Sequence, residues 1–205
     1  MPRSSNTEAR RAEIVAALLS VIGKVGYEKA TTQAIARQAG LAPGLIHYHF
    51  ESKQAILVAL VEALAEAARS RFETVLGEAR RPHERLRAYL RARLGLGVGA
   101  APEVVAAWVM IGAEAVRQPE VRAVYRTMVA EELGLLTTLL AEALAEQGRE
   151  TDAAPTLAAG LLAMIEGAFQ LSSAAAEAMP RGYAAGAATA YADQAIAAAP
   201  RARRA

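Results

Sequence analysis

Thr31 to Lys53 read TTQAIARQAGLAPGLIHYHFESK, and this stretch decides the fold. Thr31 and Thr32 offer hydroxyls that cap a helix N-terminus, which predicts a helix of about two turns over Gln33–Ala39. Gly40 follows where a left-handed residue ends a helix. Pro43 suits the first turn of a second helix, where its missing N–H costs nothing. Ile35, Ala36, Ala39, Leu41, Ile46 and Phe50 fall where the two helices pack on each other, and small residues at 36, 39 and 40 permit a close, steep crossing. The remaining face carries Gln33, Pro43, Gly44, His47, Tyr48 and His49. The pattern predicts a helix-turn-helix, with 43–49 as the recognition helix.

The chemistry of that face suits DNA. Base edges in the major groove present donors, acceptors and the thymine methyl. His47 and Tyr48 can donate or accept hydrogen bonds, and Pro43 and Gly44 let the helix start approach closely. Gln33 can reach a base or a phosphate, and the Thr32 hydroxyl with its neighbouring amides suits a phosphate oxygen. Adjacent helical positions point about 100° apart, so His47, Tyr48 and His49 cannot all face one groove. His47 and Tyr48 are the expected base readers, with His49 partly structural. Lys53 lies at the start of the next helix, where a cation gains nothing from the helix dipole, and a phosphate contact explains that placement. The DNA-binding candidates are therefore Thr32, Gln33, Pro43, Gly44, His47, Tyr48, His49 and Lys53.

Working outward, Glu8–Val25 predicts a helix with Ile14, Leu18, Val21, Ile22 and Val25 on one face. Gly26 ends it, and Tyr27 packs back on the same small domain. Ser52 caps a long helix over about Lys53–Ala79 with a stripe of Leu57, Leu60, Leu64, Ala68, Phe72 and Val75. Further helices are expected near His83–Val98, Pro102–Val116, Val121–Glu146, Pro155–Met179 and Tyr183–Ala198. That makes nine helices and an all-α fold: a DNA-binding domain over 1–52, a larger helical effector-binding and dimerisation domain over 53–200, and a disordered basic tail over 201–205.

Thr32-Gln33-Ala34-Ile35-Ala36-Arg37-Gln38-Ala39-Gly40-Leu41, then Gly44 through Phe50, then Ser52-Lys53, resemble the DNA-binding domain of the TetR family. The resemblance is strong over about residues 8–60. A weaker similarity to the BetI-like subgroup runs through Ala107-Trp108, Gln118-Pro119-Glu120 and Gly160 to Gly167. The positions of His47 and His49 commonly carry Tyr in that family. The resemblance implies a cytoplasmic homodimeric repressor of a near-palindromic operator, released by a small molecule bound among residues 80–180.

Composition agrees. No run alternates apolar and polar residues with period two, so strands are not expected. The chain has no Cys, which excludes disulfides and Cys-ligated metals. His47 and His49 lie 200° apart on a helix and cannot share an ion, so neither a metal site nor a cofactor is expected. Leu94–Val116 and Ala153–Ala176 are apolar, but they are rich in Ala and Gly and contain Glu103, Glu114 and Glu166. They predict buried or interface helices, not membrane spans. Residues 1–53 carry seven Lys or Arg against four Glu, a net of +3, while the remainder nets −1, so the basic excess accompanies the helix-turn-helix.

Within 153–178, Leu157, Leu161, Met164, Ala168, Leu171 and Ala175 make one face, and Gly160, Ala163, Gly167 and Ala174 make a smaller one. Small residues at that spacing admit another helix closely, and a symmetric dimer through this helix and the last is the economical explanation. Candidate effector-pocket residues are Trp108, Met110, Ile111, Tyr125, Met128, Met164, Glu166, Phe169, Gln170 and Ser173. Glu166, Gln170 and Ser173 form a polar stripe that fits either a pocket wall or a solvent face, while Trp108 fits a core anchor better than an aromatic cage. No nucleophile–base pair, Gly-rich phosphate loop or triad is present, so an enzyme is not expected. The reading that competes with a regulator is an all-helical ligand-binding or adaptor protein whose helix-turn-helix contacts proteins.

Overall fold

The structure, a computed structural model, describes residues 3–95 and 102–202. Nine α-helices and no strands occur among them: α1 Arg3–Lys29, α2 Thr32–Gln38, α3 Pro43–His49, α4 Lys53–Glu78, α5 Pro82–Leu94, α6 Pro102–Arg117, α7 Pro119–Glu146, α8 Ala154–Ala174 and α9 Tyr183–Ala198. Two compact units form, one of Met1–Glu66 with Glu103–Arg126, the other of Ala67–Pro102 with Thr127–Ala205. The first unit thus extends beyond the expected 1–52 segment. It takes in the start of α4 with its buried Ile56, Leu57, Leu60 and Val61, and α6 with its buried Val105, Ala107, Trp108 and Ile111.

The first unit is nucleated by α1. Ile14, Leu18, Val21 and Ile22 are buried as their spacing predicts, but Val25 is 47% exposed. The reason lies one residue on. Gly26 adopts φ 77 and ψ 164, which interrupts the helical path before it resumes at Tyr27, so the apolar stripe ends at Ile22. Tyr27 is buried. Ile35, Ala36, Ile46 and Phe50 complete the core of the three-helix head, whereas Ala39 and Leu41 are only half-buried.

In the second unit α5 packs on α9 and α8, and α8 packs on α9. Leu86, Leu90, Leu139, Leu140, Leu161, Ile165 and Ile196 are buried there. Arg87 clamps Asp193 bidentately, with Nε at 3.2 Å and Nη2 at 2.6 Å, which fixes α5 against α9. α5 ends at Leu94, and the expected extension to Val98 falls outside the described residues. α8 ends at Ala174, short of the expected Met179, and a 3-10 turn over Ala176–Ala178 follows. Ser172 Oγ donates to the Phe169 carbonyl at 3.0 Å, the local bond by which serine competes with a helix ladder. α8 is long and apolar enough to cross a membrane by length and composition, and it packs on α5 and α9. Arg201 pairs with Arg149, and the Ala202 N–H donates to the Gly148 carbonyl at 2.9 Å. These bonds hold Arg201 and Ala202 at the start of the basic tail; residues 203–205 lie outside the described ones.

Glu146 staples the end of α7 to the start of α5. It accepts from Arg81 Nε at 3.0 Å and from the His83 backbone N–H at 3.1 Å, and pairs with the His83 ring at 2.8 Å. The side-chain bond with His83 draws its carboxyl from 4.5 down to about 2, against an opposing effect of burial and with further help from the His83 backbone and Arg81. A depressed acid stabilises the fold above its ordinary value and stops doing so as pH falls through the lowered one. Thermal unfolding of Glu146→Gln against the unsubstituted chain should therefore show a lower midpoint at pH 7, with the gap narrowing from about pH 4.5 towards 2. A gap independent of pH below 4.5 contradicts the staple.

Candidate functional site

Local chemistry builds the reading head. Thr31 Oγ1 accepts from the Ala34 N–H at 3.1 Å, so Thr31 is the cap and Thr32 the first helical residue of α2. Gly40 takes φ 67, and the Leu41 N–H returns to the Ala36 carbonyl at 2.9 Å, which closes the turn. Pro43 opens α3 as expected. With Ile46 and Phe50 inward, Gln33, Pro43, Gly44, His47 and Tyr48 face outward, Tyr48 being 78% exposed, and Thr32 is half-exposed. A Cβ placed on Gly44 would meet nothing within 4 Å, so no internal packing demands a glycine there. His49 is half-buried, edge-on to Tyr48 at 5.0 Å, with Nδ1 enclosed by protein.

The basic residues do different work from what their charge alone predicts. Lys53 Nζ donates to the carbonyls of Tyr27 at 3.0 Å and Glu28 at 3.5 Å, and lies 4.2 Å from the centre of the Tyr27 ring. It caps the C-terminal end of α1, where a cation is favourable. At the start of α4, Lys53 thus has internal carbonyl partners beside the phosphate contact expected from sequence. Arg11 likewise donates to the His49 carbonyl at the end of α3 and lies 4.0 Å over Phe50. Lys24 donates to Gln38, and Arg10 pairs with Glu13. Lys29 and Arg37 are exposed.

Tyr27 and Glu28 also meet the end of α6. Arg117 pairs with Glu28 at 2.6 Å, and the Gln118 amide donates to the buried Glu114 at 2.6 Å. Burial and the charge of Glu114 raise the Tyr27 phenol above its ordinary value, against a hydrogen bond with Gln118. Gln54 on α4 donates to Glu120 at 2.7 Å. Tyr27, Glu28, Lys53, Gln54, Glu114, Arg117 and Gln118, with Ser52, line an open cleft of about 530 Å3.

The pocket candidates divide between the units. Trp108, Met110, Ile111 and Tyr125 belong to the first, Met128, Met164, Glu166, Phe169, Gln170 and Ser173 to the second. Trp108 is buried and packs on Tyr125 with ring centres 5.3 Å apart, the core anchor expected. Gln170 and Ser173 are exposed, which places the outer part of the polar stripe on the solvent face of α8, while Glu166 is half-buried.

Sequence reasoning missed the centre of the second unit. Arg93 forks Glu132, Nε to Oε1 at 2.7 Å and Nη2 to Oε2 at 2.9 Å, and the Tyr89 hydroxyl donates to the same Oε1 at 2.5 Å. The guanidinium lies 4.6 Å from the centre of the Phe169 ring and 5.9 Å from that of Phe72. Burial opposes both charges most strongly, but the fork, the mutual attraction and the Tyr89 bond outweigh it, so Glu132 is lowered and Arg93 raised. Burial and the Glu132 charge raise Tyr89. Spacing gave one clue: Tyr89 and Arg93 are four apart on α5, whereas Glu132 is 39 residues further on.

Of the dimerisation candidates, Gly167 is open, with nothing within 4 Å of an added Cβ, and Ala163 and Ala174 are exposed. Gly160 differs: a Cβ there would lie 3.1 Å from the Tyr191 hydroxyl, so it admits α9 of its own chain. Leu171, expected on the buried face, is 39% exposed, as is Tyr191.

Comparison with known proteins places these features in context. Residues 14–60 match the model of bacterial regulatory proteins of the tetR family, and residues 82–197 that of the C-terminal part of BetI-type transcriptional repressors. The chain is 36% identical over 171 residues to the HTH-type transcriptional regulator BetI of Rhizobium meliloti (strain 1021), covering 82% of this chain and 80% of that protein. It is 32% identical to the BetI regulator of Agrobacterium fabrum, covering 82% and 79%. A transcriptional regulator from Rhodococcus sp. Rha1 superposes with a TM-score of 0.80 at 22% identity, over 94% of this chain and 99% of that one. Another, from Saccharomonospora viridis in complex with choline, does so at 0.77 and 23%, over 96% and 99%.

The two roles open to Lys53 separate experimentally. Lys53→Met should cost about 1.5–3 kcal/mol in urea unfolding, the scale of a hydrogen bond made by a charged group. Unchanged stability with a loss of DNA affinity would contradict the capping role.

Proposed function

The chain belongs to the TetR family of bacterial regulatory proteins and is a DNA-binding transcriptional regulator, and we propose that it is a homodimeric repressor which leaves a near-palindromic operator when a small molecule binds among its later helices. The observation that carries the reading is the outward face of α3: Gly44, His47 and Tyr48 lie exposed while Ile46 and Phe50 are buried, and no internal packing calls for a glycine at 44. In the dimer each α3 enters a major groove, the two centres about 34–36 Å apart. His47 and Tyr48 meet base edges, Gly44 and Pro43 allow close approach, and Gln33 with Thr32 reaches the adjoining phosphates.

Gly167, Ala163, Leu171 and Tyr191, open on α8 and α9, support a dimer through these two helices. The effector binds in the second unit, around the Phe169 and Glu166 side of α8. It favours a dimer geometry in which the two reading helices lose their spacing, a population shift between two states. The protein works in the cytoplasm, with its operator.

Tyr48→Ala should weaken operator binding by about tenfold or more, the cost of one good base contact, and leave the melting temperature unchanged because the ring is exposed. Fluorescence anisotropy with an operator duplex reads it, and unchanged affinity in both Tyr48→Ala and Gly44→Leu sinks the assignment of α3. Gly167→Leu should sediment as a monomer; a persisting dimer moves the interface elsewhere.

A further inference from the structure

α3 presents one exposed side chain that hydrogen-bonded reading of this face leaves unused. Leu45 is 46% exposed, the third residue of a seven-residue helix. Among the described residues of the three-helix head, the other large apolar side chains so exposed are Val25 and Tyr48. Val25 follows from the break in α1 at Gly26, and Tyr48 carries a hydroxyl. Leu45 has neither reason.

The helix fixes where Leu45 points. Ile46 is fully buried, and adjacent residues lie about 100° apart, so Leu45 and His47 stand on opposite sides of the buried line. Leu45 and Tyr48 are three apart and therefore neighbours on the helix surface. They make one side of the outward face, and Gly44 with His47 makes the other. The Leu45 N–H donates to the Ala42 carbonyl at 2.9 Å, which seats the residue in the first turn, the part of a recognition helix that meets base edges. Gly44 beside it has no side chain, and nothing lies within 4 Å of a Cβ built there. The helix can thus approach a surface until the Leu45 methyls touch it.

An isobutyl group neither donates nor accepts a hydrogen bond, so phosphates and polar base edges offer it nothing. The apolar feature of the major groove is the C5 methyl of thymine. We propose that Leu45 is a specificity-determining residue, which reads a thymine in each half-site by packing its methyls on that C5 methyl group. The Tyr48 ring completes the apolar side of the face, while His47 meets hydrogen-bonding groups on the other. The outward face of α3 is accordingly divided between an apolar and a polar reader.

The inference rests on the reading of α3 as the helix that enters DNA, and its test separates the two. The purified full chain selects duplexes from a library randomised over about two helical turns. Selected half-sites should share an invariant thymine, and Leu45→Ala should select the same half-site without preference at that position. Deoxyuridine in place of this thymine removes the methyl and nothing else. By fluorescence anisotropy it should weaken the unsubstituted chain about fourfold per half-site, the scale of one buried methyl group. Leu45→Ala should bind the two duplexes equally. Its melting temperature should stay within about 2 °C of the unsubstituted chain, since the side chain is exposed.

Selected half-sites without an invariant thymine overturn the proposal, as does indifference of the unsubstituted chain to deoxyuridine at every thymine; neither result depends on a variant. If Leu45→Ala weakens all duplexes alike and keeps the thymine preference, Leu45 packs on the sugar–phosphate backbone and the proposal fails. Each of these outcomes leaves α3 as the DNA-reading helix. Selection of no sequence at all counts against that reading itself and takes the inference with it.

Discussion

The reading head depends on one ammonium group. Lys53 at the first residue of α4 holds the final carbonyls of α1, and so fixes the start of the long helix to the end of the helix that nucleates the small core. Arg11 does the reciprocal task at the end of α3, over Phe50. Helix C-termini leave carbonyls without partners, and in a head of such short helices few side chains can reach them. Two cations placed there tie three helices together. The charge excess of this segment is accordingly spent partly on its own architecture, and the DNA-facing surface is defined more by which side chains are left outside than by how many are basic.

The same joint carries the contact with α6. Tyr27 and Glu28 offer their carbonyls to Lys53 and their side chains to Gln118, Glu114 and Arg117. Two adjacent residues therefore register both the start of α4 and the end of α6. The end of α6 and the residues that seat the reading head thus belong to one compact unit.

Local chemistry was the legible part of this fold. The Thr31 cap, the left-handed Gly40, Pro43 and the Ser52 cap each rest on a residue and its near neighbours, and each stands where the sequence places it. α9 likewise runs from Tyr183 to Ala198 as expected. What sequence could not supply were partners far along the chain. Lys53 looked misplaced because its carbonyl partners lie 25 and 26 residues away, and nothing near Arg93 and Tyr89 in sequence announces Glu132 as their partner, 39 and 43 residues on. Gly160 and Gly167, one stripe in sequence, divide because Tyr191 reaches only the first. Val25 left its stripe because one positive φ at Gly26 turned the chain.

Chemical footprinting of the DNA upstream of the gene with the purified full chain tests the central claim most directly. The account predicts two protected major-groove patches on one face of the duplex, about one helical turn apart and related by a near-palindrome, which reappear as reactive when the effector is added. Protection of a single patch, protection without symmetry, or no protection at all would contradict it.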